Sequence, residues 1–402
     1  MSTVTATSET YTASGTPLPG MKQFGMIAGV LGVVLAVAGF LMLGADGLGR
    51  FFQAYLVAYT FWMGVVLGSL ALLMVQHLSG GVWGVILRRP FEAAVSTLPY
   101  MAVLFLPIAF GMHSIFEWAR PEAANDPIIS QKLLYLNVPF FLARQVFYFI
   151  TWTTIGTLLC KWSNEHDRTG DPALIDKMSK LSGAGLLIYG LTVTFAMVDW
   201  TMSVNARWFS TIWGMLYAGG QGLSAFTFGI VVLLMLAQTA PLNKVLTKHH
   251  FHDLAKLMFA FLMLWAYLSF SQFLIIWSAN LPEEIPHYLN RWENSWRWLS
   301  VFIVVGHFII PYALLLSRDL KRNMGKLRIV AIWILCARWA DYYWHVAPEF
   351  HNSGLNFSLI DVALPLALGG IFISLFVSQL SGRSLLPVND PQMEKALHHH
   401  VH

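Results

Sequence analysis

Charge is scarce in this chain. Asp, Glu, Lys and Arg make up 11% of its 402 residues while 56% are hydrophobic, against roughly 25% charged residues in a soluble domain. Such a composition excludes an ordinary soluble globule. Cysteine is nearly missing as well: Cys160 and Cys336 are the only two, and they stand at no CxxC spacing. That excludes a thiolate zinc site, an iron-sulfur cluster or a c-type haem carried by the chain, and both thiols read as buried and inert. No basic region precedes the first apolar run, so a cleaved secretory signal is not expected. Residues 1–23, rich in Ser, Thr and Gly, read as a flexible cytoplasmic lead-in, and 381–402 as a cytoplasmic tail. The closing His398, His399, His400 and His402 read as an exposed end, not a metal site.

What the chain has is long apolar runs, several of 18 residues or more, enough to cross about 30 Å of hydrocarbon as a helix. Spans are predicted at 24–43, 51–78, 91–110, 139–162, 181–200, 209–239, 254–279, 296–317, 327–348 and 359–380. A helix satisfies its own backbone in lipid, so the expectation is an all-α integral membrane protein of ten transmembrane helices. With ten spans, seventeen Lys and Arg fall on the side of the termini and six on the other, which places both termini in the cytoplasm. The net charge of +4 therefore points to the bilayer, not to nucleic acid.

Basic-aromatic starts recur at Arg50-Phe51-Phe52 and Arg207-Trp208-Phe209. They suggest two four-helix bundles, spans 2–5 and 6–9, with two flanking helices. Small residues at Gly64, Gly68, Gly219, Gly220 and Gly222 suit close backbone packing.

Polar groups inside such spans are expensive. Arg338, Asp341 and His345 share one stripe of the ninth span, spaced by three, four and seven, and each buried charge costs roughly 2.5 to 3.5 kcal/mol at the bilayer centre. Such groups serve ions, protons or a polar ligand, the alternative being an internal ion pair. Asp199, Asp361 and Arg144 lie near span ends on the outer side. With His307 and Tyr267 between the two zones and His77 on the inner side, they complete a set of proton-pathway candidates. The histidines lie at unlike depths, which argues against a haem held between facing helices. Around the loop 280–295, Trp292, Trp296 and Trp298 beside Arg291 read as an interfacial aromatic belt, while the paired acids Glu283 and Glu284 with Pro282 and Pro286 suggest a fixed lid or a partner contact, the alternative being an ordinary loop.

Three strings carry a resemblance: DWTMSVNARWFSTIWGMLYAGGQ at 199–221, SQFLIIWSANLPEEIPHYLNR at 271–291 and ARWADYYWHVAPEF at 337–350. With them the chain resembles the NrfD/PsrC-like family of ten-helix membrane subunits, most closely those of bacterial alternative complex III. The resemblance implies a multi-pass subunit of the bacterial inner membrane in a complex that oxidises quinol, such as menaquinol, and passes electrons to a cytochrome c or a terminal oxidase. It implies that this chain holds no cofactor. Haem c and iron-sulfur clusters then belong to extracytoplasmic iron-sulfur and c-type cytochrome subunits, and a second NrfD-like subunit sits alongside. Relatives that bind quinone use a His and a carboxylate near the outer ends of spans 3 and 4. Here His113, with Glu117, meets Arg144 and Gln145 where the acid is expected. His113, Glu117 and Gln145 thus read as the remnant of a quinone site, and the chain as the second, non-oxidising subunit that supports assembly and moves protons. The quinol-binding subunit itself is the first alternative, and a stand-alone secondary transporter and a pure membrane scaffold are further rival readings.

Overall fold

The computed structural model describes residues 11–12, 16–44, 47–351 and 354–397. The closing histidines and most of the first fifteen residues lie outside them. Ten long helical segments run among the described residues: α1 Pro19–Leu43, α2 Gly47–Ser79, α3 Val82–Phe110, α4 Val138–Thr169, α5 Pro172–Met202, α6 Trp213–Leu236, α7 Lys248–Ala279, α8 Trp296–Leu316, α9 Met324–Val346 and α10 Leu359–Leu380. Eight of them are long and apolar enough to cross a membrane; α4 and α9, which carry more charge, are the others. This is an all-helical, multi-pass membrane protein.

The helix ends follow local chemistry. Asn137 accepts from Phe140 N–H at the start of α4, Asp171 from Ala173 N–H at the start of α5, and Asn323 from Lys326 N–H at the start of α9. Each fills an orphan donor of a first turn. The α4–α5 turn needs Gly170 at φ 67°, a conformation open to glycine without a side-chain clash. Pro99 and Pro107 coincide with breaks in α3, which runs as 82–95, 98–103 and 106–110, since proline supplies no N–H to the preceding turn. Pro365, by contrast, stands inside an unbroken α10.

Two helices depart from regular α winding. The end of α5, 198–202, and the middle of α8, 303–309, are π-helical. Such bulges often mark functional positions because they re-aim side chains. The carbonyl oxygen of Gly306 takes Trp333 Nε1 from α9 at 2.7 Å.

α2 and α6 occupy the centre and are buried along nearly their whole length. α3 and α5 pack on α2 and α4 packs on α5, while α7 and α9 pack on α6 with α8 between them. A Cβ on Gly68 would strike the backbone of Gln221, so α2 and α6 meet almost backbone to backbone. α1 runs antiparallel to α10 on the flank, with Gly25, Gly29 and Gly32 against Gly370 and Ala367. In lipid, close packing of this kind replaces the hydrophobic drive. Cys160 is buried as expected, but Cys336 faces outward from α9.

Candidate functional site

Arg338, Asp341 and His345 do turn inward together. Their side chains are 2%, 4% and 6% exposed. Arg338 Nη1 donates to Asp341 Oδ2 at 2.5 Å and Nε reaches Ser224 Oγ on α6 at 3.4 Å. Gly220 makes the room: a Cβ there would collide with the guanidinium. The cation also faces the rings of Tyr342 at 5.1 Å and Trp265 at 5.8 Å, which partly replace its lost hydration. His345 Nδ1 lies 2.8 Å from its own helix's Asp341 carbonyl oxygen. A carbonyl only accepts, so Nδ1 carries a proton, and the same nitrogen lies 3.6 Å from Asp341 Oδ1.

His307 belongs to the same region. It rises from the π segment of α8 and lies on Trp265 with ring centroids 3.9 Å apart. Both its nitrogens are buried without a hydrogen-bond partner among the described residues, as is Asp341 Oδ1. Beside this cluster, between α7, α8 and α9, lies a cavity of about 770 Å³. Its wall is apolar and aromatic, including Phe273, Val304 and Phe308, and Asp341 and His345 reach its surface. Few polar groups in an apolar, concave setting is the usual form of a small-molecule site.

The remaining candidates separate into other places. Asp199, carried on the π turn of α5, takes Arg144 in a bidentate pair at 2.8 and 2.9 Å, Gln145 Nε2 at 3.2 Å and Tyr148 OH at 3.1 Å. Trp200 Nε1 then holds Gln145 Oε1 at 2.7 Å. Both Asp199 oxygens are engaged, the pattern of a structural pair. Asp361 caps α10 with Ser358 and bonds Arg50 at 2.6 Å. The pathway candidates Asp199, Asp361 and Asp341 therefore sit in three separate ion pairs, because each acid meets an arginine of its own. Tyr267 is 67% exposed on the outside of α7 and does not join the cluster. His77 lies toward the end of the bundle that carries the termini.

The proposed quinone remnant is likewise dispersed. Gln145 is committed to Asp199 and Trp200, Glu117 pairs with Arg207 at 2.7 Å, and His113 is exposed with its carbonyl bonded by Arg120.

One polar cluster escaped the sequence reading. Arg291, at the end opposite the termini, donates to the carbonyl oxygens of Trp344 at 3.0 Å and His345 at 2.6 Å, and to Glu349 Oε1 at 2.9 Å. A cation on the last carbonyls of α9 suits the helix dipole. Glu349 also takes Asn205 Nδ2 at 2.9 Å, and His287 lies between Glu349, at 3.5 Å, and the Trp208 ring, stacked at 4.1 Å. Burial pushes the Glu349 carboxyl up, but Arg291 and His287 outweigh it and hold the group at about 2. Burial, and then Arg291, lowers His287 to about 3. The loop 280–295 is thus fixed to α9 through His287 and Arg291 rather than through Glu283 and Glu284. Only the sequence adjacency of Glu349 to the end of α9 hinted at it.

No protein-family model and no curated protein matches the chain.

Proposed function

We propose that this chain is a membrane subunit of a quinol-oxidising electron-transfer complex of the alternative complex III kind, the second of its NrfD-like subunits, and that it moves protons through Arg338, Asp341 and His345 while supporting assembly. In this reading the ten helical segments all cross the bacterial inner membrane, with both termini in the cytoplasm. Haem c and iron-sulfur clusters are carried by extracytoplasmic partners, and quinol by the neighbouring NrfD-like subunit.

The three sequence strings support the family, and one structural observation supports the role. Asp199 has both oxygens hydrogen-bonded, whereas Asp341, also buried, keeps Oδ1 without a hydrogen bond, 3.6 Å from His345 Nδ1 and beside a cavity. A buried ionisable group inside a membrane bundle marks a candidate proton site, and an acid with a free acceptor oxygen has a place to take the proton. Asp341→Asn in the intact complex should lower the protons translocated per electron. Unchanged stoichiometry together with unchanged turnover would refute the route.

The cavity favours a second reading, in which this chain itself takes the quinol. Its aromatic wall suits a planar head and its open side a long tail. Filling it with Ala266→Trp should then raise the KM for quinol several-fold; an unchanged KM excludes that reading.

A further inference from the structure

At the end of the bundle that carries both termini, the cations fall into two groups. Around α3 the guanidinium groups meet partners: Arg88 pairs with Asp390, Arg89 pairs with Glu92 and Asp167, and Arg383 reaches Gln379 and Ser96. Where the first turns of α7 meet the short helix Arg318–Arg322, cations are in excess. Lys248, Lys256, Arg318, Lys321, Arg322, Lys326 and Arg328 stand there against two acids, Asp253 and Asp319. In the segment docked on His250 through the Ala396 carbonyl oxygen, Glu394 and Lys395 cancel.

Three of these cations gather around Asp253. Lys256 Nζ donates to Asp253 Oδ1 at 3.0 Å, and His252 Nδ1 lies 3.7 Å from the same oxygen. His252 in turn faces Lys256, Lys321 and Arg322. Neither the Lys321 nor the Arg322 side chain forms a hydrogen bond or an ion pair among the described residues, and Arg322 Nε is buried without a partner. Asp319, on the same turn, bonds neither of them. Burial, and then the charge of Lys256, pushes the Lys321 ammonium down. Like charges held together in this way favour an added anion.

An apolar seam starts one turn beyond Lys256. Phe259 of α7 lies against Tyr312 of α8 with ring centroids 5.5 Å apart, and Tyr312 against Phe308, also at 5.5 Å. Phe308 lines the cavity between α7, α8 and α9, where Phe270, Val304 and Val305 are exposed along the outer wall. From Lys256 to Ala266 in the cavity wall is about 15 Å of helix at 1.5 Å per residue, which is the depth of one leaflet in a hydrocarbon layer of about 30 Å. Charge alone would also suit an acidic protein segment. The apolar seam running inward from the cations selects a lipid, since basic pockets between membrane helices hold anionic headgroups.

We propose that Lys256, Lys321 and Arg322 bind the phosphate of an anionic phospholipid in the leaflet on the side of the termini, and that one of its acyl chains lies along Phe259, Tyr312 and Phe308 toward the cavity.

The test is thermal unfolding of the full chain in a neutral detergent with dioleoyl-phosphatidylglycerol, dioleoyl-phosphatidylcholine, dihexanoyl-phosphatidylglycerol or inorganic phosphate added at equal concentration. The first should raise the melting temperature by several degrees and the other three by much less. The shift should vanish when Lys256→Gln, Lys321→Gln and Arg322→Gln are combined. It should persist in Lys177→Gln with Lys180→Gln, two exposed cations of α5. An equal shift with phosphatidylcholine overturns recognition of the charge, and an equal shift with the dihexanoyl lipid overturns the acyl path. An equal shift with inorganic phosphate makes the place a free-anion site and overturns the lipid. A shift that the triple variant keeps, or no shift with any lipid, overturns the site altogether. Should the triple variant fold poorly, Lys321→Gln decides alone, because its side chain has no bond to lose and the shift should still shrink. These readouts involve no electron transfer, so their failure is distinct from failure of the quinol-complex reading.

Discussion

Arg338 and Asp341 lie one helical turn apart and are bonded at 2.5 Å, yet the bond uses only one of the two carboxylate oxygens. The pair is deep enough that neither charge can be left alone. Arg338→Leu should destabilise the protein by about 3–5 kcal/mol, because it strands a buried carboxylate. The double variant Arg338→Leu with Asp341→Leu should recover most of that loss. Unfolding in detergent measures both, and a neutral single variant would mean that the pair is not ionised.

Gly220 tests the same pair from the other side. Gly220→Ala drives a methyl into the guanidinium and should cost about 1–3 kcal/mol through overpacking. Gly190, in α5, has nothing within 4 Å of an added Cβ. Gly190→Ala should instead stabilise by about 0.5–1 kcal/mol, the helix preference alone. Equal effects at the two sites would discredit the packing account of Gly220.

Asp199 should behave unlike Asp341. Asp199→Asn removes the charge that holds Arg144 and disturbs Gln145 and Trp200, so thermal stability should fall. The protons moved per electron should stay as they were, because both Asp199 oxygens are already bonded. A loss of proton stoichiometry in Asp199→Asn at full stability would reassign this acid to the route.

The loop cluster predicts acid sensitivity. The unfolded chain protonates His287 near 6.5 but the fold delays this to about 3. The unfolded state therefore binds more protons in that window, and stability falls as pH drops from about 6.5 toward 3. Glu349, at 4.5 unfolded and about 2 folded, adds to the loss below 4.5. Melting temperature against pH should show this slope, and His287→Phe, which keeps the stacking on Trp208, should flatten it between 6.5 and 4.5. An unaltered slope would show that His287 is not the group responsible.

How far the chain was legible follows from the period of the information. Apolar run lengths are local, so ten helical segments emerge near their predicted places, but α3 and α5 begin nine residues early, at 82 and 172 against 91 and 181, and α4 runs on to Thr169 past the predicted 162 because its last turns are polar yet still helical. The inward face of α9 was equally legible, since Arg338, Asp341 and His345 are related by helical spacing alone. Pairings across the chain were not. That Asp199 would belong to Arg144, Asp361 to Arg50 and Glu349 to Arg291 depends on contacts between helices 55 to 311 positions apart.

By itself the sequence determined that this is a helical membrane protein with a costly ionisable stripe on its ninth long helix, because hydrophobicity and helical periodicity act over one or a few turns. Only the tertiary structure decided which acids are saturated and which keep an open oxygen. It also placed His307 on Trp265 through a π turn, and it put Glu92 and Asp167 on one arginine. Those outcomes depend on which donors reach an acid first in three dimensions, and no spacing along the chain encodes that.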